Sequence, residues 1–123
     1  MSDTPKKLWK KRLGAFGEDL ARDYLAREGY KILDSNWECD YGELDIVAKL
    51  KDTFVIVEVK TVSPGKTESA ADTVGKTKQK HIQRCAELYL KDEKSVYNCR
   101  FDVIAIEYEK GTEPKLNHII DAF

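Results

Sequence analysis

Phe54-Val55-Ile56-Val57-Glu58-Val59-Lys60 passes from four β-favouring apolar residues into two charges of opposite sign. Side chains alternate along a strand, so Glu58 and Lys60 share one face and Val59 takes the other. The unbroken apolar run before them reads as a central strand covered on both faces, and central strands seldom end in charges without a use. The bland alternative is the polar end of a strand, with both heads in water and weakly paired. Upstream, Asp45 stands in Gly42-Glu43-Leu44-Asp45-Ile46-Val47-Ala48, the strand expected to pair with this one. Neighbouring strands lie about 5 Å apart, which brings Asp45 and Glu58 within reach of one hard cation, with Lys60 beside it. Carboxylate oxygens to hold Mg²⁺ and a lysine to orient water or balance charge are the parts that phosphodiester hydrolysis needs. Spacing alone is weakly specific, because Asp with a later Glu-x-Lys is common by chance.

The rest of the chain supplies a frame for these strands. From about Lys11 to Glu28, Leu13, Phe16, Leu20, Tyr24 and Leu25 recur at helical steps, and Gly29 stands where a helix end wants a positive φ. Tyr30 to Trp37, Leu44 to Ala48 and Phe54 to Thr61 then read as three strands of a meander, separated by Asp40-Tyr41-Gly42 and Lys51-Asp52. Val62 to Gly75 reads as a loop with one helical turn. Ile82, Cys85, Ala86 and Tyr89 stripe a second helix over about Thr77 to Lys91, with Lys76, Lys80, Arg84 and Lys91 on another side. Arg100 to Tyr108 and Leu116 to Ile120 complete the pattern as strands. The order helix, three strands, helix, strand, strand calls for an α/β or α+β layer fold, with helices packed on a mixed sheet.

Length and composition agree. With 123 residues, 7 Gly, 3 Pro and 41% hydrophobic residues, and with neither repeat nor linker, the chain reads as one domain over 1–123. A basic N-terminal arm over 1–11 precedes the first apolar stripe. Apolar runs such as Phe54 to Val57 fall far short of the roughly 20 residues that span a bilayer, so no membrane partner is expected. Met1 to Phe16 has no apolar signal core, and the expected location is cytoplasmic. Cys39, Cys85 and Cys99 are odd in number and form no CxxC pair, which points to three reduced, mostly buried thiols rather than a disulfide framework or a zinc site.

The net charge of −1 makes no bulk case for nucleic acid, but its distribution is uneven. Lys6, Lys7, Lys10, Lys11 and Arg12, with Lys76, Lys78, Lys80 and Arg84, form two windows without an acid. Glu38, Asp40, Glu43 and Asp45 concentrate negative charge between them. Basic flanks around an acidic centre suit an enzyme that grips phosphates and holds a divalent cation. Solvated helix faces explain the same pattern, and charge alone favours that explanation.

Asp45 with Glu58-Val59-Lys60 at the end of an apolar strand resembles the PD-(D/E)xK signature of restriction-endonuclease-like nucleases, which include Holliday junction resolvases. More closely, the chain resembles the YraN-like family of predicted endonucleases. The likeness runs through Gly17-Glu18, Ala21, Tyr24-Leu25, Gly29-Tyr30, Asn36-Trp37, Gly42 to Val47, Val57 to Thr61, Lys80, Arg100 to Val103 and Ala122-Phe123, nearly the whole chain. It implies a restriction-endonuclease-like α/β fold, a mixed sheet with flanking helices, and a Mg²⁺- or Mn²⁺-dependent endonuclease acting on DNA, branched DNA included. It further implies a metal site at Asp45 and Glu58, with Lys60 as catalytic cation. Glu18 matches the first-helix glutamate that approaches the metal in resolvases. Leu44 stands before Asp45 where the signature has proline, so proline is not required. Junction resolvases are typically dimers, which opens a homodimer reading, although the sequence shows no isologous patch.

Around this centre, Lys76, Lys80 and Arg84 are candidate phosphate contacts, Lys80 and Arg84 sharing an i, i+4 face. Lys10, Lys11 and Arg12 are either a phosphate-binding arm or a solubilising tail. Asp102 follows Arg100 by two and reads as a structural ion pair. Trp37 and Tyr41 read as core or rim packing before base stacking, His81 as a surface residue, and Glu43 as solvent-facing or supporting the site. The alternative to an enzyme is a non-catalytic nucleic-acid-binding module on the same fold. A protein-interaction domain is the weaker third reading.

Overall fold

The computed structural model describes residues 5–67 and 69–123, with side chains from residue 12 onward. Helix α1 (Pro5–Arg27) leads into strands β1 (Lys31–Cys39), β2 (Gly42–Leu50) and β3 (Thr53–Val62). A short 3-10 turn (Ala70–Thr73) and helix α2 (Lys76–Leu90) follow, then β4 (Asn98–Glu107) and β5 (Lys115–Ile119). This is the expected order. Proline suits the first helical position, and α1 starts at Pro5, so the basic segment is helical from there on. The side chains of Lys10 and Lys11 lie outside the described residues.

All five strands form one sheet in chain order. The first three pair antiparallel, as short turns dictate, and β5 returns antiparallel on β4. Between β3 and β4 the chain crosses over through α2, which makes that pair parallel, with Glu58 opposite Val103. The sheet is therefore mixed, and β3 lies at its centre.

Alternation on the strands divides the core into two layers. Ile46, Ala48, Val55, Val57, Ile104 and Ile106 meet Ala21 and Leu25 of α1. Val47, Ile56, Val103 and Ala105 meet Ile82, Cys85 and Ala86 of α2. The two helices thus cover opposite faces, which explains why β3 is apolar without alternation. Where α1 crosses β3 the fit is close: a Cβ on Gly17 would lie 3.2 Å from Thr61 Cγ2. The helix ends as its sequence implies. Gly29 takes φ +91°, and Tyr30 N–H and Gly29 N–H close a Schellman pair on the carbonyls of Leu25 and Ala26.

The cysteines depart from expectation. Cys39 and Cys85 form a disulfide, with Cα atoms 6.0 Å apart, and Cys99 is exposed and free. Parity and chain spacing carry no information about which strand end α2 lies over. Cys85 sits on the buried stripe of α2, and the end of β1 passes beneath it. Among the described residues, no helix is long and apolar enough to cross a membrane.

Candidate metal centre

The centre forms where β2 loses its regular pairing. Cross-strand pairs of β2 with β3 begin at Ile46 with Val57. On the other side, Ser35 pairs with Ile46 and Trp37 with Leu44, while Asn36 between them takes φ +52°. Asparagine tolerates that left-handed conformation better than most residues. Leu44 consequently joins the α2 layer instead of following Ile46 into the α1 layer. Asp45, at the point of change, accepts the Val59 N–H at 2.9 Å through Oδ2.

Burial, then the Glu58 charge, push the Asp45 carboxyl up to about 7, against the pull of the Val59 N–H. Glu18 from α1 and Glu43 from the start of β2 come to the same place. Each of the three acids offers a carboxylate oxygen, all within 4.8 Å of one another. Burial raises the Glu43 carboxyl as well, followed by the charges of Glu18, Glu38 and Glu58. Burial and like charge that disfavour ionised Asp45 and Glu43 are offset when a cation joins them, and an all-oxygen donor set suits a hard divalent ion.

Glu58 lies beside this cluster, 5% exposed, with Oε1 2.5 Å from Lys78 Nζ on the first turn of α2. Burial draws the Lys78 ammonium down, but its hydrogen bond to Glu58 and the Glu58 charge outweigh that and leave it raised. Lys60 goes the other way, lowered by burial and then by the neighbouring Lys78 charge. Lys78 therefore takes the buried carboxylate, and Lys60 stands beside that pair, within reach of both charges.

Asp45, Glu58, Lys60 and Glu18 are thus brought together, as the sequence implied. The closest carboxylate grouping, however, includes Glu43 in place of Glu58. Glu43 carried a readable signal, since residues two apart on a strand face the same way and Asp45 is the second. Lys78 carried less, because its basic window contains other lysines of equal standing. Lys76, Lys80 and Arg84 are exposed along α2, and Arg12 is exposed on α1. Arg84 places its guanidinium 6.0 Å from the centre of the Tyr41 ring. Trp37 packs edge-on against Tyr89 and joins the core, whereas Tyr41 remains 46% exposed.

Fold and site together define a mixed-sheet α/β domain with three clustered acids and two lysines at the end of its central strands. Comparison with known sequences gives the class its family. The family model described as "Uncharacterised protein family UPF0102" matches residues 17–106, and the chain belongs to that family. A UPF0102 protein of Caldanaerobacter subterraneus subsp. tengcongensis is 40% identical over 121 residues, spanning 96% of this chain and 99% of that one. Those of Alkaliphilus oremlandii and Syntrophomonas wolfei are 44% and 42% identical, each covering 92% of this chain and 98% of their own.

Proposed function

We propose that this chain is a metal-dependent DNA endonuclease of the restriction-endonuclease-like type, working on branched DNA in the cytoplasm. The observation that carries the reading is the grouping of Glu18, Glu43 and Asp45 beside the buried Glu58–Lys78 pair, with Lys60 next to it. Structural ion pairs explain one acid and one base, but not three acids whose oxygens crowd together. Bound among these acids, Mg²⁺ or Mn²⁺ would polarise a phosphoryl oxygen and acidify water at neutral pH. Asp45 supplies the innermost oxygen, fixed by Val59 N–H, with Glu18 and Glu43 completing the set. Glu58 holds the Lys78 ammonium at the edge of the centre with Lys60 beside it, where both would meet a phosphate. Lys60, with its lowered pKa, is the lysine suited to orient the attacking water. Lys76, Lys80, Arg84 and Arg12 contact the flanking backbone, with Lys10 and Lys11 extending that contact.

The test is cleavage of labelled branched, nicked, linear and single-stranded DNAs with Mg²⁺, Mn²⁺ or chelator, comparing wild type with Glu58→Gln. Metal-dependent cutting that falls at least about 100-fold in the variant is expected, the usual cost of removing one preorganised charge-stabilising group. Salt-dependent DNA binding with no cutting, indifferent to metal and to Glu58, would assign the chain to the binding modules instead.

A further inference from the structure

Next to the acid cluster, a cleft of about 150 Å³ opens between the β1–β2 turn and the first turns of α2. Tyr41, Gly42, Glu43, Lys78, His81 and Ile82 line it. Two of these belong to the centre itself: Glu43 to the acid cluster and Lys78 to the Glu58 pair. The cleft therefore adjoins the metal centre through Glu43 and Lys78. A phosphate held at the acids would leave its neighbouring nucleotide close to the cleft.

Folding does not account for Tyr41. A tight turn asks for Asp, Asn or Gly, and Asp40 and Gly42 supply them on either side. The Tyr41 ring joins neither core cluster. Its wall is nevertheless firmly built. Cys39 bonds covalently to Cys85 of α2, and Tyr41 N–H donates to Cys39 Sγ at 3.3 Å. Arg84 approaches the ring from α2 with a cation suited to a backbone phosphate. A half-exposed aromatic ring beside a cation is a platform on which proteins stack single-stranded bases.

Resting on the endonuclease reading, we propose that this cleft is a nucleobase subsite in which Tyr41 stacks on an unpaired base adjoining the scissile phosphate. The base faces of an intact duplex are covered by neighbouring pairs, so an aromatic ring gains access only where a base is splayed or single-stranded. The preferred substrate class is then DNA with an unpaired nucleotide beside the cut, such as a flap, a frayed junction arm or a single strand. His81 borders the same space and contributes an edge contact.

Binding separates this subsite from catalysis. Fluorescence anisotropy with Ca²⁺ in place of Mg²⁺ would compare a flapped oligonucleotide with the matched intact duplex. Wild type should prefer the flap, and Tyr41→Ala should weaken flap binding about ten-fold, the scale of one stacked base, while changing duplex binding less than about two-fold. Tyr41→Trp should retain the preference, which distinguishes a lost stack from a disturbed turn. A flap labelled with 2-aminopurine at the unpaired base should be quenched by wild type and Tyr41→Trp, and not by Tyr41→Ala. If wild type binds DNA but Tyr41→Ala keeps the flap preference and the quenching, the subsite is wrong and the endonuclease reading stands. If wild type binds no DNA at all, both fall together.

Discussion

Asp45 draws on the Val59 N–H for stabilisation, while burial and the Glu58 charge work against its ionised form. Its carboxyl is raised from the ordinary value near 4 to about 7 in the folded chain. Between those two values the folded state keeps a proton that the unfolded state has released. Stability therefore declines as pH rises through that window, and the whole penalty is present above pH 7. Asn at this position keeps an oxygen for Val59 N–H and carries no charge. Asp45→Asn should consequently abolish metal-dependent cleavage yet raise unfolding stability in chelator at pH 8, on the order of 2 kcal/mol once residual solvent is allowed for. The gain should vanish near pH 4. Urea titrations at the two pH values check this, and a variant less stable than wild type at pH 8 would mean that Asp45 serves the fold instead of straining it. At this scale Asp45, Glu58 and Lys60 were legible, because alternation carries side-chain direction, whereas Glu18 came only through the family resemblance. Lys78 was not, because its partner Glu58 lies on a different element and no local pattern links the two.

At the scale of elements, periodicity did most of the work. The helical stripe ending at Gly29, the three strand segments and the basic-faced α2 were all readable, since burial on one face or both leaves its period in the chain. What α2 lies across was not readable, and Cys39 with Cys85 shows the consequence. Their bond ties the end of β1 to α2 over a sequence separation of 46 residues. Closing a loop of that length restricts the unfolded chain by about 4 kcal/mol on the chain-entropy account. Cytoplasmic thiol systems would work against such a bond, so its effect on stability is directly relevant to the proposed setting. Reduction with a dithiol, or the Cys39→Ser/Cys85→Ser double variant, should lower the thermal midpoint by about 15 °C. Cys99→Ser should leave it in place. Calorimetry with and without reductant reads both, and equal midpoints, or three titratable thiols in the denatured, unreduced protein, would remove the bond from the account.

At the scale of the whole molecule, one buried carboxylate joins elements that the two core layers leave apart. Asp102 on β4 is fully buried and takes both Arg100 Nε and Nη2, at 2.9 and 2.8 Å, as the spacing of two along one strand implied. It also accepts His118 Nε2 of β5 at 2.7 Å and the Asp121 N–H at 3.0 Å. Arg100 continues to the Tyr30 hydroxyl, and His118 Nδ1 meets the Tyr24 hydroxyl of α1. The network thus fastens the first helix, the entry to β1, the parallel strand and the C-terminal turn to one group. Burial alone would raise the Asp102 carboxyl, but the bonds from His118 and Arg100 outweigh it and leave the pKa lowered. A lowered folded value contributes stability that is present above the unfolded pKa near 4 and is lost as pH falls through the folded one. Asp102 is therefore the opposite of Asp45: its charge holds the fold together, and acid removes that hold. Asp102→Asn leaves Arg100 half-buried without its bidentate partner, and breaking a buried pair from one side costs about 3–5 kcal/mol. That is a large share of the roughly 5–15 kcal/mol that keeps a domain folded. Urea unfolding at pH 7 should show that loss, and the variant should lose less stability than wild type between pH 4 and pH 2. A variant as stable as wild type at pH 7, or one with the same acid dependence, would show that the sheet and helices hold without this carboxylate.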